Sequence, residues 1–212
     1  DSSSSRGLGD VYKRQLDNTV LLFTSDHGDM LGKHGLWAKK LYYEESARVP
    51  MILVGAADGE EVECDSVDNR LVGWQDIMPT LLQLAGIPIP ESVQGQSMLS
   101  DTRRDMLYGE LGCGTQATRM VHVGRYKLIY YPNGNQVQLF DLEDDPEELV
   151  DIAGHAEAAA QRADMERMLI GKLSGPDREW VAGGRLVGVP FEGSERTGNK
   201  GLSKQRGVHW PL

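Results

Sequence analysis

An apolar run at residues 19–24 stops abruptly at the polar sequence Ser-Asp-His-Gly of residues 25–28. A short run of this kind, which contains β-branched and aromatic residues, is typical of a buried parallel strand. Ligands of open α/β sheets gather just beyond the carboxyl ends of such strands. We therefore expect an α/β fold, with a functional site among the residues that follow this strand.

Further elements of the first half support this reading. The glycine-rich residues 28–40 predict a loop that is long enough to be functional. Residues 49–54 indicate a second buried strand, and residues 72–85 place their apolar side chains on one face of a helix. Pro79 lies within this pattern and indicates a kink or a late start, and Gly86 provides a C-terminal cap.

The second half of the chain has the pattern of an antiparallel sheet capped by a helix. Residues 120–131 and residues 136–140 flank a turn sequence and predict an antiparallel hairpin. Residues 153–173 have the spacing of a helix. Residues 174–212 form a glycine-rich tail, in which we expect one short hairpin at residues 180–189.

Both ends of the chain are set apart from the predicted fold. Residues 1–15 have neither a helical nor a strand period, and the hexapeptide at residues 10–15 resembles the translation of an end sequence from transposase-based sequencing libraries. We interpret residues 1–15 as a non-native scar, in which case the native protein begins upstream. A natural serine-rich start is the alternative. At the other end, residues 208–212 are predicted to be a docking tail.

Composition excludes several classes of protein. The chain has 22 basic and 32 acidic residues, a formal charge of −10, which argues against nucleic acid or an anionic membrane as a general partner. The longest apolar run is far too short for a membrane span. Cys64 and Cys113 form no C-x-x-C motif, so neither a disulfide framework nor a cysteine zinc site is indicated. An anionic substrate would need a local cation to overcome the overall charge.

Asp26 and His27 are the first candidate site residues. A carboxylate beside an imidazole suits a divalent metal, although two ligands are too few for a stable site. The alternative is structural, with Asp26 capping a turn and His27 donating a hydrogen bond to a backbone carbonyl.

The neighbouring residues of this segment have readings of their own. We expect Trp37 and Tyr43 to pack and so to fix the loop. Glu44 and Glu45 are predicted to be solvated glutamates in the first turn of a helix, and the acidic residues 141–148 a charged turn before the last helix.

The candidate pair belongs to a longer pattern. Its parts occur in order, as Ser-Asp-His-Gly at 25–28, His-Gly-Leu-Trp at 34–37, Lys39, Tyr-Glu-Glu-Ser at 43–46 and Arg-Val-Pro at 48–50. Further matches follow at residues 76–82, 84–88, 95–99, 124–129, 139–142 and 145–147. Over about residues 17–173 the chain resembles the second half of the sulfatase family, which belongs to the alkaline phosphatase superfamily.

The resemblance implies an architecture. Residues 16–100 would be the later part of an alkaline-phosphatase-like α/β domain, with a mixed or parallel sheet sandwiched by helices. Residues 101–173 would be a small C-terminal antiparallel sheet packed with a helix, followed by the tail at residues 174–212.

The resemblance also implies a chemistry. Sulfatases hydrolyse sulfate esters with a formylglycine nucleophile and a divalent metal, usually calcium. By position, Asp26 and His27 are similar to two metal ligands, Lys39 to the lysine that contacts sulfate, and His34 to a residue that helps to bind substrate or to stabilise the leaving group. Many members have asparagine at the position of His27, so manganese or another metal is the alternative to calcium.

The nucleophile is expected outside this chain. Sulfatases make formylglycine from the first residue of C/S-x-P-x-R, and neither Cys64, Cys113 nor any serine begins such a motif. We therefore expect formylglycine in a missing N-terminal part, and an inactive protein from these 212 residues alone.

The substrate, compartment and wider function stay open at this stage. A carbohydrate or aryl sulfate is the expected substrate, and a periplasmic or secreted location is implied by the family, with the cytoplasm as the alternative. The oligomeric state is open. The alternative functions are a phosphonate or phosphate monoester hydrolase of the same superfamily, and a non-catalytic binding module.

Overall fold

The computed structural model describes residues 19–37, 39–56, 62–63 and 65–193. In chain order its helices and strands are β1 (Leu21–Thr24), α1 (Glu44–Ala47), β2 (Met51–Val54), α2 (Ile77–Leu84), β3 (Leu107–Leu111), β4 (Thr118–Val123), β5 (Tyr126–Tyr131), β6 (Gln136–Asp141), α3 (Ala159–Lys172), β7 (Val181–Ala182) and β8 (Arg185–Leu186). The interpretations of residues 1–15 and 208–212 fall outside the described residues.

The chain divides into two compact units. Among the described residues, the first contains residues 19–26 and 50–104, and the second contains residues 27–49 and 105–193. The boundary between Asp26 and His27 therefore separates the two candidate metal ligands into different units. Among the described residues, no helix combines the length and the apolar character needed to cross a membrane.

The first unit contains a two-stranded antiparallel sheet. β1 pairs with β2 in a register that joins Leu21 to Val54 and Phe23 to Ile52. These four side chains share one face, and Phe23 is 62% exposed. The prediction of a buried parallel strand at residues 19–24 is thus wrong in direction and burial, and the prediction of a second buried strand at residues 49–54 is wrong in burial. An apolar run does not encode the direction of its partner, and an exposed apolar face has the same composition as a buried one.

α2 begins late, as the proline indicated. A turn of 3-10 helix at Trp74–Asp76 precedes it, so Pro79 is the third residue of the α-helix, where its missing N–H leaves no helical hydrogen bond unmade. Gly86 has a φ of 66° and takes the left-handed conformation expected at a helix C-terminus. The prediction of a late start and of a glycine cap is confirmed.

Asp76 is a buried anchor of the first unit. Its two carboxylate oxygens accept hydrogen bonds from Arg104 at 2.5 and 2.6 Å. The backbone amides of Gly73 and Gln96 each donate to the same carboxylate at 2.8 Å. Burial opposes ionisation, but these bonds outweigh it and hold the pKa of Asp76 below its usual range.

The second unit is built on a four-stranded antiparallel sheet in the order β3-β4-β5-β6. The hairpin predicted at residues 120–131 and 136–140 is present as β5 and β6, but the first of those ranges is two strands. They are joined by a turn at Gly124, whose φ is 56°. β3 was not predicted, because its sequence Leu-Tyr-Gly-Glu-Leu is short and interrupted by glycine.

α3 covers one face of this sheet. Met165 and Leu169 are fully buried. They lie in one core cluster with one residue from each of β4, β5 and β6, namely Val121, Leu128 and Leu139. The helix predicted from residue 153 begins at Ala159, after a 3-10 turn at Ala156–Ala158. The short hairpin expected at residues 180–189 is confirmed as β7 and β8.

Candidate functional site

Three of the four predicted site residues lie in the segment of residues 27–49, which we call the site segment. These are His27, His34 and Lys39. Asp26 is the last residue of the first unit, where it is exposed and its Oδ1 accepts a hydrogen bond from the Ser25 hydroxyl at 3.4 Å.

The two ring nitrogens of His27 have different partners. Nδ1 lies 2.6 Å from the carbonyl oxygen of Gly28, which can only accept, so Nδ1 carries the ring proton. Nε2 contacts the ammonium of Lys39, which can only donate, so Nε2 is the acceptor in this contact. The structural reading, a histidine that donates to a backbone carbonyl, is therefore correct for Nδ1. It leaves Nε2 directed at a second predicted site residue.

Gly28 fixes the start of the site segment. Its amide donates to the carbonyl oxygen of Ser46 at 2.9 Å. A Cβ at this position would lie 1.9 Å from the carbonyl oxygen of Glu45, so no other residue fits without moving the backbone. His27 Nδ1 is hydrogen-bonded to the Gly28 carbonyl, so the close approach of Gly28 to Glu45 also sets the position of the imidazole.

His34 lies in a strained turn on top of a buried tyrosine. Its φ is 51°, which is uncommon for a residue other than glycine. The ring stacks on Tyr43 with centroids 4.5 Å apart and planes 20° from parallel. Within the described part of the chain, His34 Nε2 is buried and has no hydrogen-bond partner. Its role in binding substrate stays a prediction.

Packing residues of the segment differ from one another. Tyr43 is buried, donates its hydroxyl to Gln138 at 3.1 Å and meets Phe140 edge-on, in agreement with the prediction that it packs. Trp37 is 46% exposed, although its ring lies against Gly32.

The two glutamates of α1 are not solvated, contrary to the prediction. Only 18% of the Glu44 side chain is exposed, and it forms an ion pair with Lys127 at 2.6 Å. Glu45 forms an ion pair with Lys33 at 2.8 Å. Both partners lie outside α1, and helical geometry alone does not reveal them.

A buried ion-pair cluster was missed by sequence reasoning. Lys127 lies in β5 with a side chain that is only 1% exposed, and it pairs with Glu148, whose side chain is fully buried. Glu148 belongs to the acidic stretch at residues 141–148, so the prediction of a plain charged turn is wrong at this residue. The available signal was a lysine inside the apolar strand Tyr-Lys-Leu-Ile-Tyr-Tyr.

Side chains that could bind a metal do not cluster in the described part of the chain. Across residues 19–37, 39–56, 62–63 and 65–193, no group of three or more histidine, cysteine, aspartate or glutamate side chains is placed to hold a metal ion. His27 nevertheless has the tautomer of a metal ligand, since Nδ1 donates to the Gly28 carbonyl and the lone pair lies on Nε2, where it contacts Lys39.

Comparison with known proteins adds a family context. The family described as N-sulphoglucosamine sulphohydrolase, C-terminal, matches residues 32–174. An arylsulfatase of Clostridium perfringens is 34% identical over 179 residues, which are 82% of this chain and 37% of that protein. The chain thus spans little more than a third of this relative.

Solved structures agree with this match. A 2-O GAG sulfatase superposes with a TM-score of 0.66 at 27% identity, covering 72% of this chain and 35% of the other. A protein in complex with its substrate D-glucosamine-2-N,6-O-disulfate superposes with a TM-score of 0.67 at 26% identity, covering 74% of this chain and 35% of the other. A phosphonate monoester hydrolase of Silicibacter pomeroyi superposes with a TM-score of 0.64 at 26% identity, covering 76% of this chain and 36% of the other.

Proposed function

Because the chain belongs to the sulfatase family, we propose that it is the C-terminal part of a sulfuric ester hydrolase. The observation that carries this proposal is the contact between Lys39 Nζ and His27 Nε2. A cation for the sulfate and a ligand for the metal must be neighbours in such a site, because both act on the same sulfate group.

We propose Asp26 and His27 as two ligands of a divalent metal, calcium or manganese. They are consecutive in the chain, and their oxygen and nitrogen atoms match the donors that such ions accept. When bound, the metal polarises the sulfate oxygens. The remaining ligands, and the formylglycine nucleophile, would come from a part of the protein outside this chain.

Lys39 is proposed to bind the sulfate. Its side chain is exposed, and its contact is a neutral imidazole rather than a carboxylate, so its positive charge is available to an anion. His34 is proposed to bind the rest of the substrate or to stabilise the leaving group. The uncompensated Nε2 of His34 supports a polar contact there.

The experiment compares two neighbouring lysines in a full-length protein that contains this chain. Lys39→Met should lower kcat/KM for an aryl sulfate by about 100-fold or more, the usual effect of removing one group that stabilises a developing anion. Lys40→Met is the matched control, since Lys40 is adjacent and also exposed, and it should change kcat/KM by less than about threefold. Equal effects of the two substitutions would refute the assignment of Lys39.

The metal proposal has its own test. Asp26→Ala in the same full-length protein should lose bound metal and turnover together, measured by elemental analysis and by hydrolysis of the aryl sulfate. Full metal content in this variant would show that Asp26 is not a ligand.

The second candidate function is phosphonate monoester hydrolysis, which is supported by the similarity to the Silicibacter pomeroyi enzyme. Sulfate esters and phosphonate monoesters both present a tetrahedral anion to a metal and a cation, so the described residues suit either. Parallel assays with an aryl sulfate and an aryl phosphonate decide between them. For the sulfatase, the expected substrate is a carbohydrate or aryl sulfate, and kcat/KM should be higher for the sulfate.

A further inference from the structure

Three charged side chains that are buried or half-buried join the site segment to the four-stranded sheet. Lys127 Nζ lies 2.6 Å from Glu44 Oε1 and 2.6 Å from Glu148 Oε1. The other carboxylate oxygen of Glu148 accepts the backbone N–H of Glu44 at 2.6 Å. Each of the three residues thus contacts the other two, and together they close a ring between α1, β5 and the acidic stretch. We call this set the buried triad.

Burying the triad carries a desolvation cost, which raises the pKa of Glu148 despite the nearby Lys127 ammonium. Taking a charge out of water costs several kcal/mol, which is recovered only where partners and hydrogen bonds are well placed. Here the ammonium lies between two carboxylates, and Glu148 also accepts a bond from the first N–H of α1. This helix has no side-chain cap of its own, so a distant residue provides the acceptor.

α1 and the residue before it hold both the start and the middle of the site segment. Gly28, which sets the position of His27, donates its amide to Ser46 within α1. Tyr43, directly before α1, supports the ring of His34. A displacement of α1 would therefore move His27, and with it the contact to Lys39.

We infer that Lys127 and Glu148 are positioning residues of this site, because they hold α1, on which the site segment rests. The inference rests on the proposed function for its catalytic meaning, but its structural part can be measured separately. Neither residue touches substrate or metal in this proposal; both act through Glu44.

The experiment compares two buried carboxylates of the same unit. Glu148→Gln removes a charge from the triad. Asp177→Asn is the matched control, because Asp177 also forms a buried ion pair, with Arg119 at 2.7 Å, and this pair joins β4 to the segment before β7. Both substitutions keep the shape of the side chain and remove one negative charge, so their general effects on folding should be similar.

The measurement is amide hydrogen exchange of the 212-residue chain, read as the exchange rate of the site segment divided by that of the four-stranded sheet. Glu148→Gln should raise this ratio at least about tenfold at the amide of Gly28, whereas Asp177→Asn should leave it within about twofold. An unchanged ratio in Glu148→Gln, or an equal rise in Asp177→Asn, would overturn the inference.

Two further measurements protect this conclusion. Glu44→Gln leaves the buried Lys127–Glu148 pair intact and should raise the ratio by a smaller factor, so it serves if Glu148→Gln does not fold. In the full-length protein, the kcat of Glu148→Gln for an aryl sulfate should be at least about tenfold lower than the kcat of Asp177→Asn. A raised exchange ratio without sulfate hydrolysis by the unchanged protein would support the positioning role and reject the proposed function.

Discussion

Replacing Gly28 by alanine tests how tightly the site segment is held. The new Cβ would lie 1.9 Å from the carbonyl oxygen of Glu45 and 3.0 Å from its carbon. Non-bonded carbon and oxygen atoms rest about 3.3 Å apart, so the backbone must move by more than about 1 Å. That movement also stretches the hydrogen bond from Gly28 to Ser46.

The expected cost follows from these two effects. Overpacking against a rigid neighbour costs about 1–3 kcal/mol, and a lost backbone hydrogen bond adds about 1 kcal/mol. Gly28→Ala should therefore lower the free energy of unfolding of the second unit by about 2–4 kcal/mol. The assay is urea-dependent hydrogen exchange of the central amides of the four-stranded sheet.

A glycine in open space is the control. Gly171 lies within α3, and a Cβ there would meet no atom within 4 Å. Gly171→Ala should stabilise the unit by up to about 1 kcal/mol through helix propensity. A loss below about 0.5 kcal/mol in Gly28→Ala, or a change of the same sign in both variants, would refute the close-approach argument.

Three further predictions concern other parts of the molecule. Because the pKa of Asp76 is held below its usual range, ionised Asp76 stabilises the first unit above about pH 4, and this stabilisation is lost as pH falls through the lowered pKa. Asp76→Asn should therefore make the stability of the first unit, measured by hydrogen exchange, depend less on pH in this range. An unchanged pH dependence would contradict the prediction. Gly109→Ala puts a Cβ 2.6 Å from the Tyr42 ring and should destabilise the second unit by about 1–3 kcal/mol in urea, with partial rescue by Tyr42→Leu; no rescue would point to another cause. Phe23→Thr with Ile52→Thr should lower binding of the dye anilinonaphthalene sulfonate, since these side chains are 62% and 50% exposed, and undiminished fluorescence would reject this face as the dye site.

The sequence predicted those features that depend on local chemistry. The late start of α2 follows from Pro79, which fits the first turn of a helix without the loss of a hydrogen bond. Gly28 belongs to the motif at residues 25–28, and in the structure it makes a close backbone approach to Glu45. In each case a single residue type has few conformations or few neighbours that it can accept.

Features that depend on distant partners could not be predicted in the same way. The direction of β1 depends on β2, which is more than 20 residues away and gives no sign of its orientation. The burial of Glu148 depends on Lys127 and on an amide of Glu44, 104 positions earlier in the chain. A charge in an acidic stretch has the composition of a surface turn until its partners are known.

The charge arrangement of the site segment bears on how an acidic protein could attract an anion. The chain carries a formal charge of −10, and Lys33 is paired with both Glu45 and Glu147. Its charge is therefore compensated locally, and the two hydrogen bonds raise the pKa of Lys33 rather than free its ammonium for a ligand. Lys39 instead contacts the neutral imidazole of His27, which accepts a hydrogen bond without cancelling the positive charge. Of these two lysines, Lys39 is thus the one whose field an approaching sulfate would experience, which is why substitution of Lys39 is the sharpest test of the proposed function.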